Sequence, residues 1–161
     1  MNNKEIIKFI IEFKSDYWDL PPGVTISVDD TIKFDGLVTE TNTNINFVHT
    51  LTFDQPHQLA ITRYNKDDTQ RQCDFDGTVR DQLLTITRII IDGIDIKNII
   101  QSQSFNEPIY PEPWASEQKQ LGIVLDKLVI AETCFGHNGT WRLNFTSPFY
   151  KFLYNSMDGI V

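Results

Sequence analysis

Five carboxylates fall within one short stretch of the chain: Asp67, Asp68, Asp74, Asp76 and Asp81. Calcium takes loops of this kind, since the ion is held by about six to eight oxygens from carboxylates and backbone carbonyls. Asp74-Phe75-Asp76-Gly77 has the spacing of half an EF-hand loop, but no third Asp or Asn and no closing Glu follow at the right offsets. Acidic residues also cap turns and solvate loops, so the stretch reads as an ordinary solvated loop as well, the commoner case.

Aromatic faces are the second kind of candidate chemistry, because the C–H face of a sugar ring or a partner's side chain can lie on them. Trp18 stands just before Pro21-Pro22, and Trp114 follows the proline-rich run from Pro108 to Pro113 that contains Tyr110. Trp18, Tyr110 and Trp114 are therefore the candidate ligand- or partner-binding residues. Trp141 alternates with Leu143 and Phe145 and reads as core. His49 and His57 fall on core-facing rows and read as buried, hydrogen-bonded side chains, whereas His137, between Gly136 and Asn138-Gly139, reads as an exposed turn residue. No Gly-x-Ser-x-Gly elbow, phosphate loop, His-Glu-x-x-His or Cys-x-x-Cys is present, and the chain is expected not to be an enzyme.

The elements that must position these residues read as strands. Ile7, Phe9, Ile11 and Phe13 alternate with charged residues, and Val24, Ile26 and Val28 alternate with Thr25 and Ser27. Asp29-Asp30 and Asp35-Gly36 are expected to turn the chain. Ile45 to Phe53, His57 to Ile61 and Leu84 to Ile91 continue the pattern, with Arg88 on an apolar row that a bulge would correct. Residues 65–81 read as a polar loop. From Asp95 onward, short helices are expected over 96–100 and 115–120, an extended proline-fixed segment over 108–114, a late strand over 140–146 and a helix opening at Ser147-Pro148.

Composition agrees. Isoleucine occurs 20 times and threonine 15 times against 3 alanines, a β-sheet vocabulary. The expected fold is all-β: an antiparallel, jelly-roll-like β-sandwich in a single domain over 1–161, with a core over 5–95 and an irregular C-terminal extension over 96–161 carrying short helices. Lys+Arg 14 against Asp+Glu 22 gives a net charge of −8. That balance excludes partners that need a positive surface, so neither nucleic acid nor an anionic membrane is expected. Cys73 and Cys134 are expected to be reduced, and the N-terminus lacks the pattern of a secretory signal.

Thr25-Ile-Ser-Val-Asp-Asp30, Phe34-Asp-Gly36, His57-Gln-Leu-Ala-Ile61 and the run from Leu84 to Gly93 together resemble the calcium-dependent xylan-binding carbohydrate-binding modules. The resemblance covers residues 5–95. It implies a small β-sandwich whose calcium- and sugar-contacting loop falls on 65–81, with Asp74, Asp76 and Asp81 as ligands. Tyr110-Pro-Glu-Pro-Trp114, the run from Asn138 to Phe145 and Ser147-Pro-Phe-Tyr150 resemble instead uncharacterised proteins of tailed marine bacteriophages. That likeness implies a non-enzymatic virion accessory, a capsid decoration or tail-associated module, made in the host cytoplasm. It would act through interfaces with other virion proteins and with itself. A calcium-assisted module recognising glycans is the alternative.

Overall fold

A computed structural model describes residues 3–77 and 79–158, apart from the side chains of Asp68 and Asp158. Asp68, one of the five loop carboxylates, thus lies outside the described side chains. Strand β1 (Lys4–Asp16) turns Ile7, Phe9, Ile11 and Phe13 into the core. Strands β2 (Gly23–Val28) and β3 (Thr31–Leu37) are joined by Asp29-Asp30, whose φ values of 50° and 64° make the two-residue turn that matches the twist of paired strands.

Asp35-Gly36 does not turn the chain. It lies inside β3 opposite Thr25 and Val24. The Asp35 carboxylate accepts hydrogen bonds across the sheet from Thr25 Oγ1 (3.1 Å) and Tyr64 OH (2.7 Å), which supports the extended path.

Strands β4 (Asn42–Thr52) and β5 (Pro56–Tyr64) follow the expected alternation. His57 is buried, with Nδ1 2.5 Å from Asp29 Oδ2 and Nε2 2.8 Å from the Thr52 carbonyl. His49 is half-buried. The segment expected as a polar loop is ordered: a 3₁₀ turn (Asp68–Gln70) leads into a hairpin of β6 (Arg71–Cys73) and β7 (Val79–Asp81). Next comes β8 (Leu83–Ile91), which carries the expected bulge. Glu12 pairs with Arg88 and Phe13 with Ile86, so Thr87 is the extra residue and Ile89 and Ile91 regain the core face.

The rest of the chain forms β9 (Ile94–Asp95), α1 (Lys97–Gln103), β10 (Phe105–Pro108), α2 (Trp114–Gln120), β11 (Val129–Ile130), β12 (Cys134–Phe135), β13 (Gly139–Thr146) and α3 (Phe149–Asp158). One sheet runs β12-β8-β1-β4 with β9 on β8, and the other runs β11-β10-β13-β5-β2-β3. All of their pairings are antiparallel. The inner faces meet in one apolar core, where Phe9 of the first sheet lies 6.5 Å from Phe145 of the second.

The architecture is an antiparallel β-sandwich with short helices. The segment expected as a C-terminal extension supplies an inner strand: β13 lies between β10 and β5, with Trp141, Leu143 and Phe145 buried. Gly139 lets β10 come this close. A Cβ there would sit 2.5 Å from the Glu107 carbonyl oxygen and 2.8 Å from Pro108 Cα.

Candidate functional site

Where β5 ends, three segments distant in sequence meet: 65–82, 109–114 and the turn 136–138. Lys66 is the joint. Its ammonium donates to the Asp81 carboxylate and to the carbonyls of Gly136 and, at 3.3 Å, Gln82. The Asn138 side chain grips the Lys66 backbone at two points, accepting from its N–H at 3.2 Å and donating to its carbonyl at 3.0 Å. Asn138 in turn accepts at its own carbonyl from Ile109 N–H (2.7 Å), which ties the proline-rich segment to the same turn. Glu112 accepts from Ser116 Oγ at 2.6 Å and from its N–H at 3.3 Å. An otherwise unpaired N–H of the first turn is thereby satisfied, so α2 starts at Trp114.

The space between these segments is a cleft of about 540 Å³, within the range of small-ligand sites. Lys66, Asp67 and Arg71 line one side, Ile109 and Trp114 the other, with His137 in the lining as well. The His137 ring lies 5.1 Å from Tyr110 and 5.5 Å from Trp114, and those two lie 6.1 Å apart. His137 is therefore a half-buried member of an aromatic cluster, not the exposed turn residue expected. Burial pushes its pKa down from the ordinary 6.5, and the charges of Lys66 and Arg63 add to the shift. The ring is neutral at neutral pH. Tyr110 donates its hydroxyl to the Asp126 carbonyl (2.6 Å), and burial raises its pKa. Trp114 keeps 36% of its surface exposed.

Under this floor lies a polar cluster. Arg63 is 1% exposed and Gln82 fully buried. Arg63 Nη2 donates to the Gln82 carbonyl (2.7 Å) and to its Oε1 (2.6 Å), while Gln82 Nε2 donates to the carbonyls of Leu20 (2.6 Å) and Asn65 (3.0 Å). Desolvation pushes the Arg63 pKa down to about 10. Lys66 is lowered too, because burial outweighs its bond to Asp81.

The sequence candidates divide. Tyr110 and Trp114 come together at the cleft. Trp18 is half-buried and is not in the cleft lining. Asp81 sits at the base of the hairpin opposite Arg71 and is held by Lys66, whereas Asp74 and Asp76 are in its tip. The hairpin thus separates them by about 10 Å at its rise per residue. Among the described residues no group of three or more His, Cys, Asp or Glu stands close enough to hold a metal ion. Asp81 thus does not stand in one group with Asp74 and Asp76. Residues missed from the sequence were Lys66, Arg63, Gln82 and His137. Only Arg63 left a signal: it continues the inward row of His57, Leu59 and Ile61, where a charge is out of place.

No family model matches the chain, and no curated protein matches it. Among solved structures the chain is similar to a calcium-dependent carbohydrate-binding module, vCBM60, in a study of circular permutation between two families of such modules. That likeness has a TM-score of 0.50 at 9% identity and covers 85% of this chain and 89% of that one. The fold is that of a carbohydrate-binding module. A second structure, vCBM60 in complex with galactobiose, aligns at a TM-score of 0.47 and 12% identity, over 86% of this chain and 97% of that one. Since the first likeness covers 85% of the chain, the module fold reaches well beyond residues 5–95. At these identities the likeness is one of fold, and the metal ligands are not carried over with it.

Proposed function

We propose that the protein is a non-catalytic saccharide-binding module whose ligand lies in the cleft against Trp114. The observation that carries this reading is the Tyr110–Trp114–His137 cluster, held rigid from behind and open on its tryptophan at the rim of a ligand-sized cleft. An aromatic face in a concave site suits the C–H face of a pyranose, and the surrounding amide and charged groups suit its hydroxyls. The sandwich fold shared with a carbohydrate-binding module supports it.

Calorimetric titration with a panel of soluble oligosaccharides tests the proposal. Wild type is expected to bind at least one, and Trp114→Ala to lose roughly tenfold or more in affinity, about 1.4 kcal/mol or more, with an unchanged melting temperature. Saccharide binding that survives Trp114→Ala intact, or a panel that is blank throughout, overturns it.

A second reading, contact with another protein such as a virion component or a second copy, has one feature in its favour. Leu121, Ile123, Val124 and Leu128 form a run of exposed apolar side chains between α2 and β11. Sedimentation of wild type against Val124→Asp checks it: an assembly that the substitution dissolves supports the reading, and a wild-type monomer removes self-association.

A further inference from the structure

We infer that the ligand of this cleft is an acidic saccharide, its ring on Trp114 and its carboxylate paired with the Arg71 guanidinium. The inference rests on the saccharide reading above and adds the charge of the ligand. Among the described residues, the ionic groups at the cleft and beneath it include Arg63, Lys66 and Arg71 against Asp67, Asp81 and Glu132, whose charge reaches His137 and Tyr110. Each of the three carboxylates is already engaged, Glu132 accepting from Asn106 Nδ2 at 2.8 Å. Asp81 is held by Lys66, and Asp67 Oδ1 accepts from Thr69 N–H (2.9 Å) and from its hydroxyl. That engagement holds Asp67 below its usual pKa.

Two cations make no ion pair with a described carboxylate, although Asp81 acts on Arg63 through space. Arg71 lies exposed in β6 and makes no side-chain ion pair with any described residue. Arg63 is buried, and its Nε and Nη1 find no acceptor among the described residues. Its positive charge reaches Lys66 and His137, two residues that line the cleft. A guanidinium taken out of water with donors unmet favours negative charge nearby. Arg71 offers the planar fork that pairs two-point with a carboxylate, beside the aromatic face that would take the ring. The molecule as a whole carries −8, so this attraction is local and depends on contact with the cleft.

The test uses pairs of sugars that differ only at C6, where one carries a carboxylate and the other a hydroxymethyl group. Trimers of galacturonate and galactose make one pair, and trimers of glucuronate and glucose the other, each titrated into the full chain by calorimetry. In at least one pair the acidic member is expected to bind about tenfold or more tightly than the neutral one, the gain of a charge-assisted pair. Arg71→Gln, a substitution on an exposed strand position, is expected to bring the two members within about threefold, the larger loss falling on the acidic one. A neutral sugar that binds as tightly as its acid, or an acidic preference that survives Arg71→Gln, overturns the inference. Neutral binding through Trp114 without acidic binding sinks this inference and leaves the saccharide reading standing. Blank titrations with all four, together with a blank panel, sink both.

Discussion

Trp114, His137 and Tyr110 work as one surface because each is fixed by something other than its neighbours. Trp114 opens a helix whose first turn is tied to Glu112 through Ser116, His137 sits in a turn tied to Lys66, and Tyr110 donates to the Asp126 carbonyl. The proline-flanked tryptophan was legible in the sequence. His137 was not, since a Gly-His-Asn-Gly segment looks like any exposed turn until its packing is seen.

The histidine has a consequence for pH. Its folded pKa lies below the unfolded 6.5, so the unfolded chain binds more protons in the window between the two. Stability is therefore fully present above pH 6.5 and is lost as pH falls through that window. His49 shifts in the same direction and adds to the loss. His137→Phe is expected to flatten part of the decline in melting temperature between about pH 7 and pH 5. A wild-type profile that is level over this range contradicts the assignment.

Lys66→Met tests the joint. It strands the mostly buried Asp81 carboxylate and frees the Gly136 carbonyl, so a loss of about 2–3 kcal/mol is expected in urea unfolding. A neutral effect would mean that the ammonium is dispensable.

At the scale of elements, burial alternation decided what could be read. β1, β2, β4, β5 and β13 each bury one face, and each was legible. The bulge in β8 was legible as well, because Arg88 on an apolar row demanded a register change and its guanidinium pairs outward with Glu12 at 2.8 and 2.9 Å. The β6–β7 hairpin left no such trace. Its ladder spans only Arg71 to Cys73 on one side, all exposed, so no period of burial marks it. Asp35-Gly36 was misread for the converse reason: a strong local turn signal lost to a strand paired with β2, where Asp35 Oδ1 accepts from both Thr25 and Tyr64. Gly139 is the element-scale hinge between β10 and β13. Gly139→Ala is expected to cost about 2 kcal/mol or more by denaturant titration, because the new Cβ meets backbone that cannot rotate away. An unchanged midpoint would mean that the β10 contact is looser than drawn.

For the whole molecule, the sandwich was legible from composition and alternation, and the site was legible only in part. The acidic stretch and the aromatic run were each marked in the sequence, but their meeting depends on Lys66 and Asn138, which carry no motif. The acidic stretch supplies one wall of the cleft, and its described carboxylates do not gather into one group. Melting temperature is accordingly expected to move by less than about 1 °C between calcium and a chelator, whereas a ligand of the folded state would raise it by several degrees. Such a rise would restore a metal site that the described residues do not assemble.

On the proposed function, a saccharide sits in the cleft between the 65–82 hairpin and the 109–114 segment. Amide and indole NMR resonances followed during titration with the tightest oligosaccharide locate it. Trp114, His137, Asn138, Lys66 and Arg71 are expected to shift together while Trp141, in the core, stays still. Shifts confined to the opposite region around Asp29 and His57, or spread without focus over both sheets, would contradict it.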